Sequence, residues 1–303
     1  MSTSVSGRQA WFGGARWVRN GGCARLLPVL VALALVFPAT ARAQVAFQSQ
    51  ATAATFTSSP GTLNNLTVSG SNTMLLVGVS LFRSGSTTSP TVSGIKWGGS
   101  SGTALGVVCS ITASNSLGNN TARFEIWSLA NPASNPTTPT VVITVSGTVT
   151  TFAAGAAVFA NVASLGACAD TENSGNSNSG TTSVNVTVPT GGAAFDTLGV
   201  NTISSVTINA PPAAQTSLWN LSSGTSAGAA SYAGVVTSMS RSWSQTTSIY
   251  AYGAVPLNPS STSGRKGQVI IGGGAQELKP GQQSPSGDPT RAARVILARA
   301  PGG

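Results

Sequence analysis

Short apolar segments separated by turn-forming residues constrain this chain more than any other sequence feature. Between residues 121 and 162, three segments rich in β-branched and aromatic residues are separated by NPASNPTTP and SGTVT. Segments of this length that are bounded by Pro, Asn, Gly and Ser are typical of β-strands. Val141, Ile143 and Val145 recur with the period of two that a half-buried strand requires. The middle of the chain is therefore predicted to be all-β.

The same pattern extends over residues 44–259, where the links between apolar segments are rich in Ser, Gly, Asn and Pro. Residues 74–82, MLLVGVSLF, are almost continuously apolar and are predicted to form a central strand. The spacing predicts an antiparallel, two-sheet sandwich of the jelly-roll type. The alanines of residues 152–163 would also suit a helix, but Gly155 and the flanking Thr, Val and Phe residues favour a strand.

The distribution of charge argues against a nucleic-acid partner. The chain has fifteen Lys and Arg residues and six Asp and Glu residues, but most of the basic residues lie outside residues 44–259. Within that range the charges balance: Arg83, Lys96, Arg123 and Arg241 against Glu125, Asp170, Glu172 and Asp196. Binding to nucleic acid needs clustered basic side chains that displace counterions, and the predicted sandwich has no such cluster.

Residues 1–43 have the pattern of a secretory signal peptide. Arginines precede the apolar run LLPVLVALALVF, and Ala41, Arg42 and Ala43 provide a small-x-small cleavage pattern. A helix of twelve residues rises about 18 Å, which is short of the ~30 Å core of a bilayer. We expect a mature protein without a transmembrane span that is secreted, held at the cell surface or periplasmic. An uncleaved anchor is the alternative.

Residues 260–303 differ in composition from the rest, being rich in Gly, Pro, Gln and Arg. This composition predicts a disordered, basic tail. Its functional interpretation is electrostatic attachment to an acidic envelope polymer or a membrane, and the alternative is a solvated tail.

Removal of the signal peptide leaves two cysteines, Cys109 and Cys168. An even number of cysteines in an oxidising compartment predicts a disulfide. The alternative is a pair of buried free thiols that pack as small apolar residues. Two thiols in a chain without histidine do not suggest a zinc site.

Asp170, Glu172 and Asn176 are the candidate metal ligands. They provide oxygen atoms around a glycine turn, as calcium loops do, but their spacing departs from that of an EF-hand. A polar hairpin loop is the alternative, and no other cofactor is expected.

Aromatic side chains are the candidate contacts for a glycan. In sugar-binding sandwiches such rings stack on pyranose faces, although aromatic residues of a sandwich also fill its core and rim. The candidates are Trp97, Trp127, Trp219, Trp243, Tyr250 and Tyr252. Tyr250 and Tyr252 share one side of their predicted strand.

No convincing catalytic constellation is present, and the chain is predicted not to be an enzyme. Residues 224–228, GTSAG, match the nucleophile-elbow pattern G-x-S-x-G, but the absence of histidine excludes a Ser-His-Asp mechanism. We interpret these residues as a loop. A glycan hydrolase would need two of Glu125, Asp170, Glu172 and Asp196 to converge. The alternative is that these acids form ion pairs with Arg123 and Arg241.

The order of several segments resembles a recurrent domain of bacterial secreted proteins. The first segments are GSNTMLLVGVS, VSGIKWGG, ALGVV, FEIWSLANP and TVVITVSG, and the later ones are FDTLGVNT, QTSLW, ASYAG, MSRSWS and IYAYGAVPLNP. The resemblance implies a jelly-roll or concanavalin-like sandwich over residues 44–259 without an agreed activity, and it implies no site residues.

These observations predict an exported, non-enzymatic β-sandwich that acts as an extracellular or cell-surface interaction or structural module, with a glycan or a surface protein as partner. A carbohydrate-binding, lectin-like domain is the first alternative, and a carboxylate-dependent glycan hydrolase is the second.

Overall fold

The computed structural model describes residues 43–115, 119–177, 180–245 and 247–261, without the side chains of residues 176 and 177. The predicted signal peptide and C-terminal tail thus lie almost entirely outside the described residues. Within these ranges the regular elements are β-strands paired in antiparallel sheets, so the all-β prediction is confirmed. No helix of the described residues has the length and hydrophobicity that a membrane span requires.

The described residues contain eighteen strands. They are β1 (Ala46–Gln50), β2 (Ala54–Phe56), β3 (Gly61–Leu63), β4 (Met74–Ser84), β5 (Thr91–Trp97), β6 (Thr103–Ala104), β7 (Gly106–Asn115), β8 (Asn120–Ala130), β9 (Val141–Ser146), β10 (Thr151–Ala160), β11 (Val162–Leu165), β12 (Ala169–Ser177), β13 (Thr181–Asn185), β14 (Ala193–Thr202), β15 (Gln215–Ser223), β16 (Ser226–Ala233), β17 (Ser238–Ser242) and β18 (Ser248–Pro259).

Two six-stranded sheets form the centre of the molecule. The first central sheet has the order β1-β10-β4-β8-β7, and β2 also pairs with β10. The second central sheet has the order β11-β18-β14-β16-β15, and β12 also pairs with β18. Two smaller sheets accompany them. The first outer sheet has the order β3-β9-β5-β6, and the second outer sheet pairs β13 with β17.

Alternating side chains of the central strands show how these sheets stack. In β4, Met74, Leu76 and Phe82 lie in a core that also contains residues of the second central sheet. The intervening Leu75 and Val77 lie in a core shared with the first outer sheet. A third core joins the second central sheet to the second outer sheet. The layers therefore follow the order first outer, first central, second central, second outer.

The prediction of two sheets is wrong in number, because the described residues form four. A strand with a single buried face alternates apolar and polar residues, whereas a strand buried on both faces is continuously apolar. Strand β14 and residues 74–82 of β4 are buried at every position. Each central sheet therefore needs a cover on both sides. The opposite central sheet provides one cover and an outer sheet provides the other.

The two halves of the chain have the same topology. When the strands of each central sheet are numbered along the chain within their own half, both sheets have the order first-fifth-second-fourth-third. In each half an extra strand, β2 or β12, pairs with the fifth strand, β10 or β18. The outer sheets correspond as well, because β13 and β17 match β3 and β9. An isolated bridge between Ile208 and Trp243 occupies the place of β5. In the part of the chain that the structure describes, each sheet is built from strands of one half only. The fold is therefore a tandem repeat whose two halves pack face to face.

Glycines allow the central sheets to approach each other closely. Gly155 of β10 and Gly253 of β18 lie on corresponding strands of the two halves. A Cβ atom on Gly155 would lie 2.6 Å from ring atoms of Trp219, and one on Gly253 would collide with the ring of Phe124. Each ring belongs to the opposite central sheet, so each glycine leaves room for an aromatic side chain of the other half.

Three local predictions can be compared with these strands. Residues 152–163 belong to β10 and β11, so the strand prediction there is confirmed and the helix alternative is wrong. Gly224 and Thr225 form the hairpin turn between β15 and β16, but residues 226–228 are buried in β16, so the loop interpretation of residues 224–228 is correct only for the first two. The hairpin loop expected around Asp170 is wrong, because these residues form β12. They pair with β18 by backbone hydrogen bonds that an apolar pattern does not reveal.

The glycine packing predicts a large difference between two Gly→Ala substitutions. Gly155→Ala should lower the free energy of unfolding by about 1–3 kcal/mol because the new methyl group overpacks the core against Trp219. Gly94→Ala in β5 is the matched control, because nothing lies within 4 Å of a Cβ atom there. Urea denaturation measures both changes, and equal stabilities of the two variants would contradict the close approach.

Candidate functional site

Four of the six candidate ligand aromatics are core residues. Trp97, Trp219, Trp243 and Tyr252 are each at most 6% exposed, so their ring faces are not available to a ligand. Two of these rings are also fixed by polar contacts. Trp97 Nε1 donates to the Ala133 carbonyl oxygen at 2.9 Å, and Trp243 Nε1 donates to Ser248 Oγ at 3.0 Å.

Trp127 and Tyr250 are the two candidates with partly exposed side chains. Trp127 packs against the core beneath the first outer sheet, and Tyr250 packs against the core beneath the second outer sheet. They are therefore separated by the two central sheets and do not form one row of rings.

Asp196 of β14 lies at the centre of a buried polar cluster. Its carboxylate accepts hydrogen bonds from Arg241 Nε at 3.1 Å and from Arg241 Nη2 at 3.0 Å, and neither side chain of this pair is exposed. The Ser231 hydroxyl, the Gln215 amide and the Tyr252 hydroxyl also donate to it, at 2.9, 3.3 and 2.9 Å. Because Arg241 belongs to β17, the ion pair joins the second outer sheet to the second central sheet.

Tyr252 is held in its neutral form by this environment. Burial raises the pKa of Tyr252 well above its ordinary value, and the charge of Asp196 and the hydrogen bond to Asp196 raise it further. A protonated tyrosine hydroxyl remains a hydrogen-bond donor. Tyr252 therefore contributes to the saturation of the Asp196 carboxylate and is not itself a base.

Glu125 of β8 is the centre of a second, smaller cluster. Its carboxylate accepts hydrogen bonds from Arg123 Nε at 2.7 Å, from Trp127 Nε1 at 2.8 Å and from the Val92 backbone N–H at 3.0 Å. The Glu125 side chain is 2% exposed and the Arg123 side chain is 19% exposed. Arg123 also donates to the hydroxyls of Thr112 and Ser110.

These two carboxylates do not form a catalytic pair. Glu125 contacts Val92 of the first outer sheet, whereas Asp196 contacts Arg241 of the second outer sheet. Two packed sheets lie about 10 Å apart, and the acid/base pair of a glycosidase spans at most about 9.5 Å. The ion pairs that we gave as the alternative interpretation are present, although they are more deeply buried than surface pairs.

Cys109 and Cys168 form a disulfide whose Cα atoms lie 5.8 Å apart. Cys109 belongs to β7, and Cys168 immediately precedes β12, so the bond links the first half of the chain to the second. A bond between residues 59 positions apart stabilises a fold by about 4 kcal/mol in the chain-entropy account.

Asp170 and Glu172 lie exposed on β12. The Asp170 carboxylate lies 3.8 Å from Cys168 Sγ, and the Glu172 carboxylate accepts a hydrogen bond from Ser174 Oγ at 2.6 Å. The side chain of Asn176, the third candidate calcium ligand, lies outside the described residues. Calcium binding here stays a prediction.

The outward face of each outer sheet carries a groove. The first groove has a volume of about 310 Å³ and is lined by Pro60, Ser93, Gly94, Lys96, Ser100, Val142 and Thr144. The second groove has a volume of about 590 Å³ and is lined by Thr181, Thr182, Ser183, Ala210, Pro211, Pro212, Ser240, Arg241 and Ser242. Hydroxyl side chains and prolines are common to both, and neither lining contains a carboxylate.

No protein-family model matches the chain, and no curated protein or solved structure matches it either.

The sequence pattern predicted neither the two grooves nor the burial of Arg241. The signal for Arg241 was present, since Met239, Arg241 and Trp243 alternate with serines in MSRSWS and so share one face of their strand. With Met239 and Trp243 buried, Arg241 must be buried as well. No comparable signal marks the grooves, because outward-facing serine and threonine residues are frequent throughout this chain.

The buried ion pair predicts a large cost for the loss of one partner. Asp196→Ala should lower the free energy of unfolding by about 3–5 kcal/mol because it leaves the Arg241 charge buried and unpaired. The double variant Asp196→Leu with Arg241→Met should recover part of that loss, since no uncompensated charge remains although Ser231, Gln215 and Tyr252 still lose their acceptor. Chemical denaturation of the three proteins measures this, and a loss below about 1 kcal/mol in Asp196→Ala would contradict the analysis.

Proposed function

We propose that the chain is an exported, non-enzymatic β-sandwich that acts as an interaction or structural module outside the cell or at its surface. The observation that carries this proposal is the state of its polar groups. The strand carboxylates Glu125 and Asp196 are saturated by arginines and other donors inside the fold. The two outer grooves offer hydroxyls and no carboxylate, and the one lysine among their lining residues, Lys96, donates to the Ser100 carbonyl oxygen. Such surfaces can bind a partner but provide no carboxylate for proton transfer.

A carbohydrate-binding role is the second candidate. The hydroxyl-lined grooves favour it, because a serine or threonine hydroxyl both donates and accepts hydrogen bonds as the hydroxyls of a sugar do. The partly exposed rings of Trp127 and Tyr250 are the remaining aromatic candidates for stacking. A surface protein is the other proposed partner class, and no cofactor is required.

A glycan hydrolase is the least supported of the three. Glu125 and Asp196 face opposite outer sheets, which leaves Asp170 and Glu172 as carboxylates on the same side of one strand. Both are exposed, and neither lines one of the two grooves.

The resemblance to secreted concanavalin-like sandwiches enters this proposal at the level of antiparallel sheets packed face to face. Jelly-roll connectivity stays a prediction, and each half of the chain completes its own sheets.

The proposal predicts binding without turnover. The labelled, purified protein should be retained on bacterial envelope preparations or secreted polymers and should release no reducing ends from them. Asp170→Asn with Glu172→Gln is the matched variant, and it should be retained to the same extent. Release of reducing ends that this variant abolishes would instead establish the hydrolase, and a complete lack of retention would refute the interaction module.

A further inference from the structure

The two grooves occupy equivalent places in the two halves of the chain. In the first outer sheet the groove lies over β9, between Pro60 at the start of β3 and residues 93–96 of β5. In the second outer sheet the groove lies over β17, between residues 181–183 of β13 and residues 210–212. Residues 210–212 begin two positions after Ile208, whose bridge to Trp243 corresponds to the pairing of β5 with β9. The same site is therefore built twice from different residues.

From this repetition we infer that the grooves are two equivalent binding sites for a neutral polysaccharide, and that the protein cross-links polysaccharide chains. This inference rests on the proposed interaction function and specifies its ligand and its valency.

The lining of the grooves favours a ligand that is rich in oxygen and carries no charge. The hydroxyls of Thr144, Ser183 and Ser240 have no hydrogen-bond partner among the described residues, so they are available to a ligand. Both cations already have partners within the fold, since Lys96 Nζ donates to the Ser100 carbonyl oxygen at 2.8 Å and Arg241 is paired with Asp196 through Nε and Nη2, with only its Nη1 atom lacking a partner among the described residues. Hydroxyls that donate and accept are complementary to those of a sugar chain.

Other polymers fit these surfaces less well. A bound peptide gains specificity from pockets for apolar side chains, and in the groove linings the largest aliphatic residues are Val142 and the prolines. A nucleic acid requires a basic cluster, and each groove is lined by a single basic residue. A polysaccharide chain lying along an open groove needs neither apolar pockets nor a basic cluster.

The placement of the grooves determines the valency. Each lies on the outward face of an outer sheet, and the outer sheets cover opposite sides of the paired central sheets. One short saccharide cannot reach both grooves, but two long chains can each occupy one. A groove without a stacked aromatic ring binds weakly by itself, so binding at both sites raises retention within a polymer network, where chains lie on both sides of the protein, through effective concentration.

The test uses tryptophan substitutions that fill one groove at a time. Thr144→Trp fills the first groove, Ser240→Trp fills the second, and Ser222→Trp on the exposed edge of β15 is the matched control. Near-ultraviolet circular dichroism verifies the fold of each variant. The probes are soluble β-1,3-glucan, β-1,4-linked oligosaccharides and mannan, with alginate as the acidic comparison. Calorimetry gives the number of oligosaccharides bound per chain, and turbidity reports cross-linking of the polymers.

We expect two binding sites per chain in the wild type and in Ser222→Trp, one in each single groove variant, and none in the variant that combines Thr144→Trp with Ser240→Trp. Turbidity should disappear in each single variant, since one site cannot cross-link. Preferred binding of alginate, or neutral-glycan binding that the groove variants leave unchanged, would overturn this inference while leaving the interaction module intact. Absence of neutral-glycan binding overturns it as well, and retention on envelope material then decides separately on the proposed function.

Discussion

Burial of both faces of the central strands is the constraint on which the rest of this structure depends. Strand β14 and nearly all of β4 are buried at every position, so neither central sheet can be stable with one face in water. Burial of apolar surface is the dominant favourable contribution to folding. The face-to-face packing of the halves, the outer sheets and the glycines that admit Trp219 and Phe124 are all consequences of this burial. The grooves exist because the outer sheets, as the last layers, are the ones with a face in solvent.

Charged residues serve this layered arrangement. Arg241 and Asp196 form an ion pair between the second outer and second central sheets, and Glu125 accepts a backbone hydrogen bond from Val92 of the first outer sheet. Buried ion pairs add little net stability compared with apolar packing, but the loss of one partner is costly. These two buried contacts fix the position of each outer sheet on its central sheet. This explains why Glu125 and Asp196 of so weakly charged a chain are used for structure.

Much of the fold could be predicted from the sequence, because period-two patterns and turn formers mark individual strands. The pairing of strands could not, since the antiparallel register between β4 and β10 or between β14 and β18 leaves no local pattern. The continuous apolar run of residues 74–82 indicates a central strand, and burial of both of its faces also requires a cover on each side of the sheet. The candidate aromatics were mostly core residues for the same reason: composition identifies a tryptophan but does not show which layer encloses it. The grooves depend on tertiary placement alone.

The central claim is that the two halves form one cooperative unit in which each central sheet covers the other. Native-state hydrogen exchange across a series of sub-denaturing urea concentrations tests it most directly. The account predicts that the slowest amides of β4 and β14 exchange with the same free energy and the same dependence on urea, equal to those of global unfolding. If the amides of one half exchanged through a separate opening of lower free energy while the other half stayed protected, the halves would be independent domains and the account would be contradicted.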